Sequence, residues 1–350
     1  MRGGATAGRD GMRGAAATER GPLLSAPPGT AWLLAGATAT GKSAAAQWIA
    51  ERHGAAILSA DSMLVYRGMD IGTAKPPPAE RGAVPYLGID CVDPGQPFSA
   101  GDWLAHARRG LAALDPGQPV IVAGGTGLYF RAGLEGLDRG PSDPARRRFW
   151  QACFAREGIE GLWRALDRLG ATARLAPGDR HNPRRCIRAL ELAELPPPPA
   201  RPPAGDAGVP PPSAVVAVLR MPRDQLHARI ERRVERMLAD GLVAEALALR
   251  AAGALAATAA QAIGYAEALA LADGRLDAAA AAGRIAARTR QLAKRQMTWF
   301  RHQIAVHWID ITDDMPVAQV AGLVLEAWRQ HGPVSFAQHR TDAVFGDGHP

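Results

Sequence analysis

Three short loops hold the residue types that do chemistry. Gly36-Ala37-Thr38-Ala39-Thr40-Gly41-Lys42-Ser43 carries the pattern Gly-x4-Gly-Lys-Ser. Its glycines let backbone N–H groups turn inward around phosphate oxygens, its lysine neutralises their charge, and its serine hydroxyl is a ligand for Mg²⁺. The pattern does not distinguish the phosphates of a nucleotide from those of another diphosphate. Asp61-Ser62 offers a carboxylate that suits a general base, a Mg²⁺ holder acting through water, or a helix N-cap. Gly124-Gly125-Thr126-Gly127 permits close approach of a ligand backbone beside a threonine hydroxyl, and also reads as a plain turn. A fourth segment, from Asp70 to Pro76, places Lys75 in an irregular Gly/Pro stretch of the kind that carries function when it is ordered.

The elements around these loops predict where they stand. Ala31 to Ala35 is an apolar run ending at Gly36, and Lys42 to Arg52 follows as a helical stretch, giving strand, turn and helix. A second apolar run, Ala55 to Ala60, ends at Asp61, and a third, Pro119 to Ala123, ends at Gly124. Continuous apolar runs alternating with helical segments predict an α/β fold whose parallel sheet works at the carboxyl ends of its strands. Asp143 to Gly170 and Arg184 to Glu194 read as helices without an intervening strand, hence a helical insertion. Ala214 to Leu219 resumes a strand, and Arg223 opens a long helical region in which Arg229, Arg232, Arg233 and Arg236 partly share a face. Further helices are predicted over about Ala260–Ala272, Asp277–Arg301 and Pro316–Gln330, with a last strand at Val306–Ile309. The resulting boundaries are a disordered tail (1–30), the first part of the core (31–140), the insertion (141–195), a Pro-rich linker (196–213), the second part of the core with basic helices (214–332) and a frayed tail (333–350).

Composition narrows the function classes. A chain of 350 residues that is 47% hydrophobic and 21% charged is ordinary for a globular protein, and no long apolar run predicts a membrane span. Cys91, Cys153 and Cys186 are far apart, against a zinc site or a disulfide framework, and fit a reducing cytoplasm. The nine histidines show no metal-ligand spacing. Residues 1–30 lack the apolar stretch of a secretory signal and include Asp10 and Glu19. Of the 41 basic residues all but three are arginine, so Lys42, Lys75 and Lys294 mark places where a compact ammonium does something a guanidinium cannot. In the last long helix Lys294, Arg295 and Arg301 are interleaved with Trp299 and Phe300. That mixture suits phosphate contacts with base stacking, and equally a solvated helix face.

Together these residues form a resemblance. The phosphate loop, the string from Asp61 to Pro76, Gly124 to Tyr129, Arg185 to Glu191, Ile263-Gly264-Tyr265 and Ala293 to Arg301 occur in the order seen in bacterial tRNA dimethylallyltransferases, and the match runs from about residue 31 to 310. The resemblance implies a P-loop NTPase-like parallel sheet with a helical insertion and a helical C-terminal region. It implies a cytoplasmic, monomeric enzyme that carries a dimethylallyl group from its diphosphate to N6 of adenosine 37 in tRNAs reading codons that begin with U. Asp61 would then meet the adenine amine and Thr126 would orient the target nucleotide. Lys42, Ser43 and Arg223 would hold the diphosphate with Mg²⁺. Segments implied to touch the anticodon stem-loop are Asp61-Ser62-Met63-Leu64, Arg147, Arg184-Arg185 with Arg188, Gln261 with Gly264 and Tyr265, and Lys294, Arg295, Gln296, Trp299 and Arg301.

The chain departs from the family pattern at Leu64, where glutamine is usual, at Tyr86-Leu87-Gly88, where His-His-Leu is usual, and at Gln261, where arginine is common. Two other functions fit parts of the same sequence. An ATP-dependent small-molecule kinase would use Lys42, Ser43 and Asp61 equally well but has no need of a basic, aromatic C-terminal helix. An RNA-binding module would explain that helix and leave the intact phosphate loop without a role.

Overall fold

The computed structural model describes residues 24, 26–137, 143–195, 214–253 and 258–338. The expected N-terminal tail up to residue 23, the Pro-rich stretch 196–213 and the chain end from 339 therefore lie outside the described residues. Six strands, β1 (Thr30–Gly36), β2 (Ala56–Ala60), β3 (Tyr86–Leu87), β4 (Val120–Gly124), β5 (Val216–Arg220) and β6 (Val306–Asp310), run parallel in the order β3-β2-β4-β1-β5-β6. A two-residue strand, β7 (Val334–Ser335), pairs antiparallel with the start of β1. Every residue of β2 and β4, and all but the first of β1, is buried. Burial on both faces is why these strands read as unbroken apolar runs, and it is the α/β architecture expected from them.

The helices are α1 (Lys42–His53), α2 (Pro78–Arg81), α3 (Ala100–Ala112), α4 (Gly127–Glu135), α5 (Pro144–Arg168), α6 (Pro183–Ala193), α7 (Arg223–Ala239), α8 (Leu242–Ala251), α9 (Tyr265–Ala272), α10 (Ala278–Gln303) and α11 (Val317–His331). No described helix is long and apolar enough to cross a membrane. The described residues divide into two compact units, one of residues up to 134 with 214–338, and one of residues 135–195. In the first, α1 packs with α11, and the Trp328 indole of α11 donates to the Leu33 carbonyl at 3.0 Å, tying that helix to the central strand. The second is helical: α5 and α6 pack around Trp150, Leu162, Leu166, Cys186 and Leu190.

Register delivers the three chemical loops to one place. Ala35 of β1 stands opposite Gly124 of β4, and Gly124 stands opposite Ala60 of β2. Gly36, Gly125 and Asp61 are the next residues along three adjacent parallel strands, so the phosphate loop, the Asp61 turn and the Thr126 turn leave the same edge side by side. Gly124 itself has no room for a side chain, because a Cβ would sit 2.2 Å from the Ala60 carbonyl oxygen.

Several expected elements come out differently. The single helix expected over 143–170 is interrupted at Gly158, whose φ of 65° is outside the helical range. The segment expected to be helical from Ala260 opens as one 3₁₀ turn, Ala259–Gln261, and becomes a helix only at Tyr265, after Gly264. The stretch expected to fray from residue 333 forms β7 and then buries Phe336 under Gly133, with the Ala337 N–H bonded to the Gly133 carbonyl at 2.7 Å. Helix α3, which the sequence reading passed over, begins with a reciprocal capping box between Ser99 and Asp102.

Candidate functional site

The phosphate loop folds as its sequence demands. The Thr40 hydroxyl donates to the Ala37 carbonyl at 2.8 Å, closing the turn, and Gly41 precedes α1 in the left-handed region with φ 85°. Lys42 is buried, and its ammonium donates to the Ala37 carbonyl at 3.2 Å. Burial pulls that ammonium down to about 8; the field of Asp61 opposes the shift and Arg233 adds to it. Ser43, one position along α1, is exposed.

Asp61 occupies a turn of its own. One carboxylate oxygen accepts the Met63 N–H at 2.9 Å; no helix begins here, so the bond closes an Asx turn and Asp61 is not the helix N-cap that the sequence also allowed. The Ser62 N–H donates to the Thr126 hydroxyl at 3.0 Å, and the Thr126 N–H donates to the Ala60 carbonyl at 3.0 Å. With its oxygen already accepting, the Thr126 hydroxyl proton is left to donate outward.

These loops border one small cavity of about 50 Å³. Its polar lining residues are Thr38, Lys42, Ser43, Ser59, Asp61, Thr73, Tyr86 and Arg233, and Ala46, Ile57, Leu64, Ala74, Pro76, Ala123 and Gly124 complete it. Leu64, one of the departures, thus adds an apolar wall. Tyr86, another, also borders the cavity; its hydroxyl donates to the Gln47 side chain at 2.8 Å, and burial pushes the phenol up to about 12. The cavity thus gathers two cations, a carboxylate and several hydroxyl groups beside a smaller apolar lining.

The cationic end was only half legible. Arg223, expected to stabilise a diphosphate, is exposed at the first turn of α7 and does not border the cavity. The arginine that does is Arg233, whose guanidinium donates to the Thr73 carbonyl at 3.1 Å and is depressed by burial despite the field of Asp61. One turn earlier on the same face, Arg229 pairs with Asp313 and stands beside Gly41. The i, i+4 spacing of Arg229 and Arg233 was the available signal.

The Lys42 shift has a measurable consequence. The ammonium is charged below about 8 and loses its charge above, so inorganic diphosphate should bind the free protein progressively less tightly as pH rises through that value. A bound anion favours the charged form, which moves the limb to higher pH in the complex. Calorimetric titration from neutral to alkaline pH checks this; affinity that stays flat would remove Lys42 as the anion's partner.

Comparison with known proteins places this geometry. A family model described as IPP transferase matches residues 64–303, and one described as isopentenyl transferase matches residues 29–87. A tRNA dimethylallyltransferase of Anaeromyxobacter dehalogenans is 42% identical over 295 residues, covering 79% of this chain and 93% of that relative. The chain belongs to the tRNA dimethylallyltransferase family. Among solved structures, the full-length tRNA isopentenylpyrophosphate transferase from Bacillus halodurans is 34% identical with a TM-score of 0.59, covering 85% of this chain and 97% of that one. A eukaryotic dimethylallyltransferase acting on tRNA agrees in fold, with a TM-score of 0.61 at 19% identity over 86% of this chain and 76% of that one.

The residues that family resemblance assigns to RNA fall into two groups. Lys294, Arg295 and Arg301 are exposed on α10. Gln261 is exposed on the 3₁₀ turn, and Arg147, Arg184 and Arg185 are exposed in the helical unit. There, fully buried Glu191 accepts Arg147 and Arg188, fixing both guanidinium groups to one carboxylate. The others face inward. The Gln296 amide accepts the Thr38 N–H at 3.0 Å and lies against Gly125, bracing the phosphate loop and the Thr126 turn together. Trp299 is half-buried against Gly127, and Phe300 is fully buried edge-on to Phe130, so Phe300 offers no stacking face. Gly264 and Tyr265 are buried, and the Tyr265 hydroxyl donates to Glu245 at 2.7 Å. Packing inside the first unit turns these positions inward, with Gln296 and Trp299 still partly exposed.

Proposed function

We propose that this chain transfers a dimethylallyl group from dimethylallyl diphosphate to N6 of adenosine 37 in tRNAs reading codons that begin with U, releasing diphosphate. The observation that carries the reading is the cavity that Lys42, Ser43, Asp61 and Arg233 line together at the sheet edge where the phosphate loop, the Asp61 turn and the Thr126 turn emerge side by side.

In this mechanism the diphosphate lies against the amides of the phosphate loop, the Lys42 ammonium and Arg233, with the hydrocarbon against apolar side chains of the lining such as Leu64 and Ala123. The target adenine is extruded from the anticodon loop at a cost of about a few kcal/mol. Its N6 amine reaches Asp61, and the Thr126 hydroxyl donates to the target nucleotide. The N6–C1 bond forms as the C1–O bond to diphosphate breaks, the bonding pair leaves with the diphosphate, and the N6 proton passes to Asp61. Lys42 and Arg233 stabilise the charge that accumulates on the leaving group. Hard oxygen donors at the loop, the Ser43 hydroxyl and the Asp61 carboxylate, suit Mg²⁺, which would be held through Ser43 and would screen the leaving diphosphate.

The tRNA side of the proposal is tested on α10. Its inner face braces the two turns through Gln296 and Trp299, while Arg295 and Arg301 of the same helix are exposed. Replacing both with Ala should weaken tRNA binding and lower the slope of log affinity against log salt by roughly 1.5 to 2, while leaving dimethylallyl diphosphate affinity unchanged. Equal losses for both ligands would contradict this placement of the RNA, and displacement of bound dimethylallyl diphosphate by ATP at comparable concentration would favour the kinase.

A further inference from the structure

We infer that Glu245, held by Tyr265, is a positioning residue for the donor site: it fixes the Asp70–Lys75 loop and, through the Thr73 carbonyl, the guanidinium of Arg233. This rests on the proposed prenyl transfer and adds to it a lever outside the cavity, since neither Glu245 nor Tyr265 borders it.

The loop has no regular secondary structure, so its shape depends on the polar groups that hold it. From one side, the Glu245 carboxylate on α8 accepts three successive backbone N–H groups, those of Asp70 at 2.9 Å, Ile71 at 2.8 Å and Gly72 at 3.0 Å. Three amides converging on one carboxylate form a nest that accepts an anion and little else. The Tyr265 hydroxyl donates to the same carboxylate at 2.7 Å; burial and this bond push the phenol well above its ordinary range, so it remains a donor at any working pH. The tyrosine ring lies so close to Gly72 that a Cβ there would come within 2.6 Å of it. The ring is therefore a wall against which the turn is pressed.

From the other side, buried Lys75 donates to Asp70 at 2.7 Å, Asp90 at 2.6 Å and the Tyr66 carbonyl at 2.7 Å. Between these two anchors lie Thr73 and Ala74, both of which border the donor cavity. The Thr73 hydroxyl donates to the Met69 carbonyl at 2.6 Å, and its own carbonyl accepts Arg233. A half-buried guanidinium meeting a diphosphate must be aimed, and misplacement by about 1 Å costs on the order of 10²-fold in rate. Removing Glu245 frees three amides and the one carbonyl that aims Arg233. The expected damage falls on the donor, not on tRNA.

The test compares Glu245→Ala, Glu245→Gln and Tyr265→Phe with the natural protein. Prenylation by the natural protein checks the reaction itself, so its failure is distinguishable from failure of the positioning role. For Glu245→Ala we expect kcat/KM for dimethylallyl diphosphate to fall by about 10²-fold, with tRNA affinity within about twofold. Glu245→Gln keeps one acceptor oxygen and should lose less, and Tyr265→Phe, which removes one of four bonds, least. Because Glu245 is argued to act through Arg233, Glu245→Ala should cost little further donor affinity in an Arg233→Ala background. Should Glu245→Ala fail to fold, the same cycle is run with Tyr265→Phe. Additive effects in the cycle, unchanged donor kinetics, or parallel losses of donor and tRNA binding with a lowered Tm would overturn the proposal.

Discussion

Lys42→Ala is expected to lower kcat/KM for prenyl transfer by about 10³-fold, or about 4 kcal/mol of transition-state stabilisation, without lowering Tm. The two halves of that expectation share a cause. Lys42 is buried at the mouth of α1, where burial depresses its ammonium to about 8, which means that the empty site holds the charge at a cost. That cost is recovered when an anion arrives, and most fully when a diphosphate leaves with an extra charge. Alanine removes the recovery and the cost together; only the bond to the Ala37 carbonyl is lost from the fold. Single-turnover prenylation and thermal unfolding check the two halves separately. A variant that turns over at close to the natural rate would remove Lys42 from the reaction.

Asp61→Asn should slow the chemical step by roughly 10²- to 10⁴-fold, the usual worth of a general base. Adenine N6 is a poor nucleophile because its lone pair is delocalised into the ring, and it gains strength only as its N–H bond is polarised. Asparagine keeps the oxygen that accepts the Met63 N–H, so the turn and the Ser62–Thr126 bond should persist, but it cannot take the proton. A second readout follows from the field between the two residues. Asp61 raises the Lys42 value; without its charge the ammonium loses its proton at lower pH, and the alkaline limb of diphosphate binding should move below about 8. Affinities at neutral pH for donor and tRNA should change far less than the rate. A single-turnover rate equal to that of the natural protein would leave Asp61 with its turn alone.

The chemistry was legible where it is written in contiguous residues. Gly36 to Ser43, Asp61 and Gly124 to Thr126 each follow an apolar run, and parallel strands bring them together at one sheet edge. What the sequence could not show was the partner brought in from far along the chain. Arg233 and Glu245 look like ordinary charges on helices, and only the packing of α7 and α8 against the Asp70–Lys75 loop gives them acceptors and donors. Orientation was hidden for the same reason. Gln296, Phe300 and Tyr265 stand in segments that resemble RNA-contacting ones, yet helical phase turns their side chains inward while Lys294, Arg295 and Arg301 face out. Breaks within helices at Gly158 and Gly264, and the two-residue β7, depend on tertiary contacts too short for any periodicity to register.

The central claim is that one cavity joins a diphosphate-binding loop to a base that activates adenine N6. It is tested most directly by incubating the protein with dimethylallyl diphosphate, Mg²⁺ and an anticodon stem-loop carrying adenosine at position 37, then digesting the RNA and identifying its nucleosides by mass spectrometry. The account predicts N6-dimethylallyladenosine, one diphosphate released for each, and no product when the target is a guanosine. Unmodified RNA, together with transfer of a phosphoryl group from ATP to a small acceptor by the same preparation, would contradict it.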